Sequence, residues 1–271
     1  MNYIVLDIEF NGRKFASELP MEVIEIGAVR LDESLQIVDE FHSVIKPVYF
    51  AKLNSFIKKK TGIAQEEIDR AAGFKKVITA FIDWLKQSDS FLLFTWGGED
   101  LKRIVLDTRM HKLDDAFWLS AEYFDLLKGY IRYRNVTNDV SVETALQELG
   151  IESEGTAHRA LDDARMTARI LRAIIGEIDL ELKQHYKDQF TNAKERRMVK
   201  NAIRTLSSQK LTPSWELLFE KYLAGKDAFA DPKKLAELQH YFEAELGKAK
   251  LRAASKATVP PTDISDEKQL G

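Results

Sequence analysis

Asp7 and Glu9 stand two residues apart at the end of a short apolar run, Tyr3-Ile4-Val5-Leu6. The run is rich in β-branched and aromatic side chains and lacks helical spacing, so it predicts a buried strand. Residues i and i+2 of a strand project from the same face, which sets the two carboxylates side by side. Like charges crowded at the end of a core strand repel and resist burial unless a cation sits between them. A pair of hard oxygen donors suits Mg²⁺ or Mn²⁺ rather than zinc. Taken alone, a D-x-E pair is more simply a strand end that surfaces and solvates two acids.

Two further groups could join that pair. Asp100 follows the apolar run Phe91-Leu92-Leu93-Phe94-Thr95 and the turn Trp96-Gly97-Gly98. Ligand sites in α/β sheets gather at the C-terminal ends of strands, and glycines let a backbone approach a ligand closely. Asp100 is explained equally well as the N-cap of a helix starting at Leu101. His158 and Asp163 are spaced so that they cannot share a helix face. They can meet if the histidine lies in the loop after Gly155 and the aspartate lies inside the helix that follows. Histidine is suited to taking a proton from water near neutral pH. Asp163 would then be a further metal ligand, with Asp162 favouring the positive end of the helix. By itself, a surface histidine near a helix start is most often only that.

The elements that would carry these groups can be read in order. Asn11 to Pro20 is polar, contains Gly12 and Pro20, and predicts a loop. Met21–Leu31 and Leu35–Ile45 predict two more strands, joined so closely that the sheet must begin antiparallel. Leu53–Ile63 predicts a short helix closed by Gly62, whose last turn carries Lys58, Lys59 and Lys60, a placement that suits the negative helix end. Phe74–Lys86 is an amphipathic helix with Val77, Ile78, Phe81, Ile82 and Leu85 on one face. Phe91–Thr95 and Glu122–Leu127 predict strands linked through helices, the mark of parallel βαβ construction. Ser141 caps a helix ending at Gly150, and the helix running to Ile175 aligns Leu161, Ala164, Ala168 and Leu171. The expected fold is α/β, a mixed sheet with antiparallel first strands and then parallel units, flanked by helices.

At 271 residues, with 45% hydrophobic and 31% charged residues, the chain fits one large domain or a domain with a helical annex. A net charge of −3 neither announces nor excludes nucleic acid, because an acidic metal site can mask a local basic surface. With no cysteine there is no disulfide, thiolate zinc site or cysteine nucleophile. No apolar run approaches the ~18 residues of a membrane span, and Met1 leads directly into the first strand, so a cytoplasmic protein with no membrane partner is expected.

Together, Asp7-x-Glu9, Asp100 and His158-x(4)-Asp163 resemble the DEDDh (DnaQ-like) superfamily of 3′→5′ exonucleases, within it the stand-alone bacterial enzymes of the KapD type. Thr61-Gly62-Ile63 falls where that family often has a T-G-I segment beside the nucleotide. The resemblance covers roughly residues 1–175 and lies in the joint order and spacing. Where many members read D-x-E-T-T-G, this chain has Asp7-Ile8-Glu9-Phe10-Asn11-Gly12, so two threonine hydroxyls are missing. The resemblance implies an RNase H-like domain over 1–176 and two Mg²⁺ or Mn²⁺ ions, with Asp7, Glu9 and Asp163 on one and Asp7 and Asp100 on the other. It implies His158 as general base, 3′ ends of single-stranded RNA or DNA as substrate, and nucleoside 5′-monophosphates as products. Phe10, Thr61, Gly62 and Trp96 are the expected contacts to the terminal nucleotide, with a core role for Trp96 equally open.

Beyond Gly176 the texture changes. Residues 177–252 show no convincing strand and predict a helical accessory region, and 253–271, with Pro260-Pro261, a disordered tail. Leu182–Lys210 is strongly basic. A grip on a phosphate backbone, as in a non-cutting binding module of the same fold, competes there with a solvated helix face and with docking of a second copy or a protein partner.

Overall fold

A computed structural model describes residues 1–12, 21–153, 155 and 158–257. Strands β1 (Asn2–Asn11), β2 (Glu22–Leu31) and β3 (Ile37–Lys46) form the expected antiparallel series. Helices α1 (Ser55–Thr61) and α2 (Gln65–Arg70) follow, then a two-residue strand β4 (Ala72–Gly73) beside the end of β3. Helix α3 (Phe74–Leu85) buries the apolar face read from its spacing. Strand β5 (Phe91–Thr95) pairs in parallel with β1. Helices α4 (Glu99–Met110) and α5 (Ala116–Ser120) lead to β6 (Glu122–Asp125), which is parallel to β5. Helices α6 (Leu126–Arg134), α7 (Val142–Glu148) and α8 (Ala160–Ile174) come next, and β7 (Gln184–His185) closes the sheet against β6.

The strand order is β4-β3-β2-β1-β5-β6-β7, which puts β1 in the middle of a mixed, helix-flanked sheet of RNase H-like type. Its side chains divide by parity. Ile4, Leu6 and Ile8 enter the core shared with α3 and α4, whereas Val5 enters the core shared with α7 and α8. Alternation continues that second face through Asp7 and Glu9, so the carboxylates point to the α8 side.

Several elements depart from the sequence reading. The third strand starts at Ile37, because Leu35 adopts a φ of 62° in a turn held by the Asp32 carboxylate, which accepts from Ser34 N and Gln36 N. The strand expected over Glu122–Leu127 stops at Asp125, whose side chain caps α6 by accepting from Lys128 N at 3.0 Å. The helix expected from Leu101 begins at Glu99. Beyond Gly176 there is a strand after all, β7, too short to show a period. The last helix continues to Ala257 through strong helix formers, past the start of the tail expected from residue 253. Residues 13–20 of the predicted loop and 258–271 of the predicted tail lie outside the described residues.

The chain divides into two compact units, Met1–Lys187 and Asp188–Gly271, so the segment carrying β7 groups with the sheet. The second unit contains α9 (Ala193–Ser208), α10 (Trp215–Leu218), which runs into a π turn over Phe219–Leu223, and α11 (Pro232–Ala257). Val199, Ala202, Ile203, Leu218, Leu238 and Phe242 form its own apolar core. Among the described residues, no helix is long and apolar enough to cross a membrane.

One glycine decides how α8 meets the sheet. Gly27 lies opposite Asp7 in the β1–β2 register, and a Cβ placed there would fall 2.1 Å from Leu161 N and 2.2 Å from Ala160 C. The first turn of α8 therefore rests on the bare backbone of β2. Those neighbours are main-chain atoms and cannot swing away, so Gly27→Ala is expected to destabilise the protein by about 1–3 kcal/mol. Thermal melting checks this: an unchanged Tm would mean that α8 can sit further from the sheet.

Candidate active site

The sequence-predicted carboxylates converge from three elements. Asp7 and Glu9 come from β1, and Glu9 is only 6% exposed. Asp100 is the second residue of α4, behind a turn in which Gly97 takes a φ of 99°. Gly98 occupies the N-cap position, so Asp100 lies inside the helix rather than capping it. Asp163 is the fourth residue of α8. His158 is exposed, just ahead of that helix, and its backbone N–H donates to Asp163 Oδ2 at 3.1 Å. Donor atoms of Glu9, His158 and Asp163 lie within 4.8 Å of one another.

Crowding shows in the acidities. Asp7 is held well above the usual carboxylate range, first by burial and then by the charges of Asp100, Asp163 and Glu9. Burial pushes Glu9 up to about 7, with Lys60 opposing and Asp163, Glu25 and Asp100 adding to the rise. Asp100 is also raised to about 7 by burial, against the pull of its own backbone N–H and that of Ile8. Asp163 is raised by burial, with His158 and Lys60 opposing. Four hard oxygen donors that destabilise one another's charge, joined by an imidazole, fit a divalent cation of the Mg²⁺ or Mn²⁺ kind. Lys60 lowers Asp7, Glu9 and Asp163 together, so the last turn of α1 adds positive charge to the site.

The site is held by residues that spacing alone did not single out. At one end of the β1–β2 pair, buried Asn11 and Glu22 fix the chain that leads into α1. The Asn11 amide donates to Phe50 O and Lys52 O and accepts from Asn54 N, while Glu22 accepts from the backbone of Val48, Tyr49 and Phe50. Two pairs further along, Glu25 of β2 reaches Arg159, Ala160 and His42. The available signal was an acid inside the otherwise apolar stretch Val23-Ile24-Glu25-Ile26-Gly27-Ala28-Val29.

Of the expected nucleotide contacts, Thr61 is buried, and its hydroxyl donates to Ile57 O at 3.0 Å and accepts from Ile63 N at 3.2 Å. That hydroxyl is committed to closing α1. Trp96 packs against Tyr130 with 5.6 Å between ring centroids and donates its indole N–H to Val140 O at 2.8 Å, so it serves the core. Gly62 closes α1 in the left-handed region, with open space where a Cβ would stand. Phe10 is half-buried, with the Arg103 guanidinium 5.4 Å from its ring centroid. It borders an open cavity of about 450 Å³ with Gly12, Met21, Asn54, Phe56 and Ile57.

The fold is that of an RNase H-like nuclease domain. Residues 4–171 match the model of the RNase_T exonuclease family, and the chain belongs to that family, within the DEDDh 3′→5′ exonuclease superfamily. The mouse 3′-5′ exoribonuclease 1 is 28% identical over 162 residues, covering 57% of this chain and 47% of that protein. The probable 3′-5′ exonuclease KapD of Bacillus subtilis is 26% identical over 174 residues, covering 63% of this chain and 83% of that protein. The crystal structure of the nuclease domain of 3′hExo, a DEDDh family member bound to rAMP, superposes with a TM-score of 0.62 at 25% identity, covering 69% of this chain and 97% of that one. The match to the first exoribonuclease relatives spans about half of their length.

Carboxylates raised toward 7 bind more protons in the folded chain than in the unfolded one. Their contribution to stability is thus complete below about pH 4 and is lost as pH rises through about 7. The chelated protein is expected to lose Tm between about pH 5 and about pH 8, and Mg²⁺ to restore more Tm at the higher pH. A chelated Tm that climbs over this range would contradict the electrostatics.

Proposed function

We propose that the chain is a divalent-metal-dependent 3′→5′ exonuclease acting on the 3′ ends of single-stranded RNA or DNA and releasing nucleoside 5′-monophosphates. The supporting observation is the convergence of the buried pair on β1 with Asp100, Asp163 and His158, in a chain of this superfamily. Asp7, Glu9, Asp100 and Asp163 would hold two Mg²⁺ or Mn²⁺ ions. When bound, such ions neutralise charge on the phosphate and stabilise the attacking and leaving oxygens.

His158 accepts the proton of the attacking water at a ring nitrogen. Its exposure lets that proton pass to solvent, and its backbone bond to Asp163 keeps the ring beside the carboxylates. Lys60 offsets part of the negative charge where a phosphate must enter, which favours substrate approach. Phe10, at the rim of the apolar cavity, offers a ring face to the terminal base, and Gly62 leaves the end of α1 unobstructed. The exoribonuclease relatives and the rAMP-bound neighbour support RNA among the substrates.

Matched RNA and DNA oligonucleotides labelled at either end test the reading. A 5′ label should yield a ladder that shortens from the 3′ end, while a 3′ label should appear at once in mononucleotide. Chelation should stop both reactions and Mg²⁺ or Mn²⁺ restart them, Asp7→Asn should abolish turnover, and His158→Ala should slow it about 10²–10⁴-fold. Internal cuts, release from the 5′ end, or a His158→Ala variant at the wild-type rate would refute it.

A further inference from the structure

We propose that Glu25 is a positioning residue: from the neighbouring strand, its buried carboxylate fixes the turn at His158 and the first turn of α8. Only the link to turnover rests on the exonuclease reading. The clamp itself stands on geometry.

Glu25 is fully buried. A carboxylate in that position is costly unless its oxygens are filled with donors, and here they are. Oε1 accepts from Arg159 Nε at 2.9 Å and Nη2 at 2.7 Å and lies 2.7 Å from His42 Nε2. Oε2 accepts from the backbone N–H of Ala160 at 3.0 Å. Ala160 is the first residue of α8, and Arg159 at the N-cap position makes no side-chain cap. The open N–H at that helix end is therefore satisfied from β2, the task a capping side chain ordinarily performs from within.

The consequence falls on His158. Its φ of 67° is uncommon for a residue with a side chain and persists only where neighbours hold it. On one side its own N–H is bound to Asp163, and on the other the next residue, Arg159, is forked onto Glu25. Glu25 also stands directly opposite Glu9 in the β1–β2 register. The position of the base and that of the α8 carboxylate are thus referred to the same strand pair that carries Asp7 and Glu9.

Glu25→Gln keeps the volume but leaves one acceptor oxygen for donors that now use two, and its amide group opposes whichever donor it meets. Arg159→Lys keeps the charge and removes the fork, without touching a buried residue. In the full chain, each variant is compared with wild type by Tm, hydrogen–deuterium exchange, and kcat and KM on a single-stranded oligonucleotide, alone and combined with His158→Ala. We expect faster exchange confined to residues 158–164, a kcat lower by about 10–100-fold with KM little changed, and no further loss when His158 is already absent. Unchanged exchange at 158–164 in both variants, exchange rising throughout the domain, or an undiminished rate loss in the His158→Ala background would overturn the assignment. A wild-type chain without turnover sinks the exonuclease reading, and exchange at 158–164 then decides the clamp by itself.

Discussion

Four carboxylates are brought together at one end of the central strand, where each makes its neighbours harder to ionise. Burial is the first cause of the weakened acidity of Asp7, Glu9, Asp100 and Asp163, and mutual charge adds to it for Asp7 and Glu9. An arrangement of this kind cannot be left to flexible loops, because the acids would swing apart into water. β1 is paired along both edges, antiparallel to β2 and parallel to β5, which makes it the stiffest available support. The mixed pairing also explains the position of the site. α4 follows β5 at the end where a parallel pair opens its crevice, and its second residue is Asp100.

β2 has a less obvious duty. Buried at every position, it presents a glycine opposite Asp7 and a glutamate opposite Glu9. Gly27 lets the backbone of α8 come down onto the sheet, and Glu25 receives the first N–H of that helix. A side chain at the first position would push Asp163 away from β1, and an apolar residue at the second would leave the helix end unanswered. The approach of the first turn of α8 to the sheet, and with it the place of Asp163, thus rests on these two residues as well as on the apolar packing further along α8.

The longer strands and the amphipathic helices α3 and α8 could be read from the sequence because each leaves a local pattern, whereas β4 and β7 are too short to show one. The grouping of Asp7, Glu9, Asp100, His158 and Asp163 comes from the joint order and spacing that carry the family resemblance. Glu25 and Gly27 could not be read in either way. Their meaning lies in which residue of another strand stands opposite, and a single sequence does not contain the register. For Thr61 and Trp96, what the hydroxyl or the indole N–H bonds to depends on tertiary neighbours that a single sequence does not show. The strand-to-helix change at Asp125 was hidden because the apolar run continues through it. In the second unit, the sequence shows an excess of positive charge on α9. The structure spends part of that excess internally, on Arg196–Glu237 and Lys200–Glu245.

Glu9 and Glu25 face each other across β1 and β2, are both nearly inaccessible, and carry the same side chain, yet their acidities move in opposite directions. Glu9 is raised to about 7, because burial outweighs the single cation that favours its charge. Burial acts on Glu25 as well, but bonds from His42, Arg159 and Ala160 more than offset it and hold that carboxylate below the ordinary range. The difference is where the donors go. Glu25 has its oxygens filled by the protein and is fixed as an anion, so it suits structure. Glu9 is buried beside three other acids with its charge largely uncompensated. Such a group has affinity left over for a cation, and the contrast within one cross-strand pair separates a carboxylate fixed by the protein's own donors from one whose charge is left to be answered.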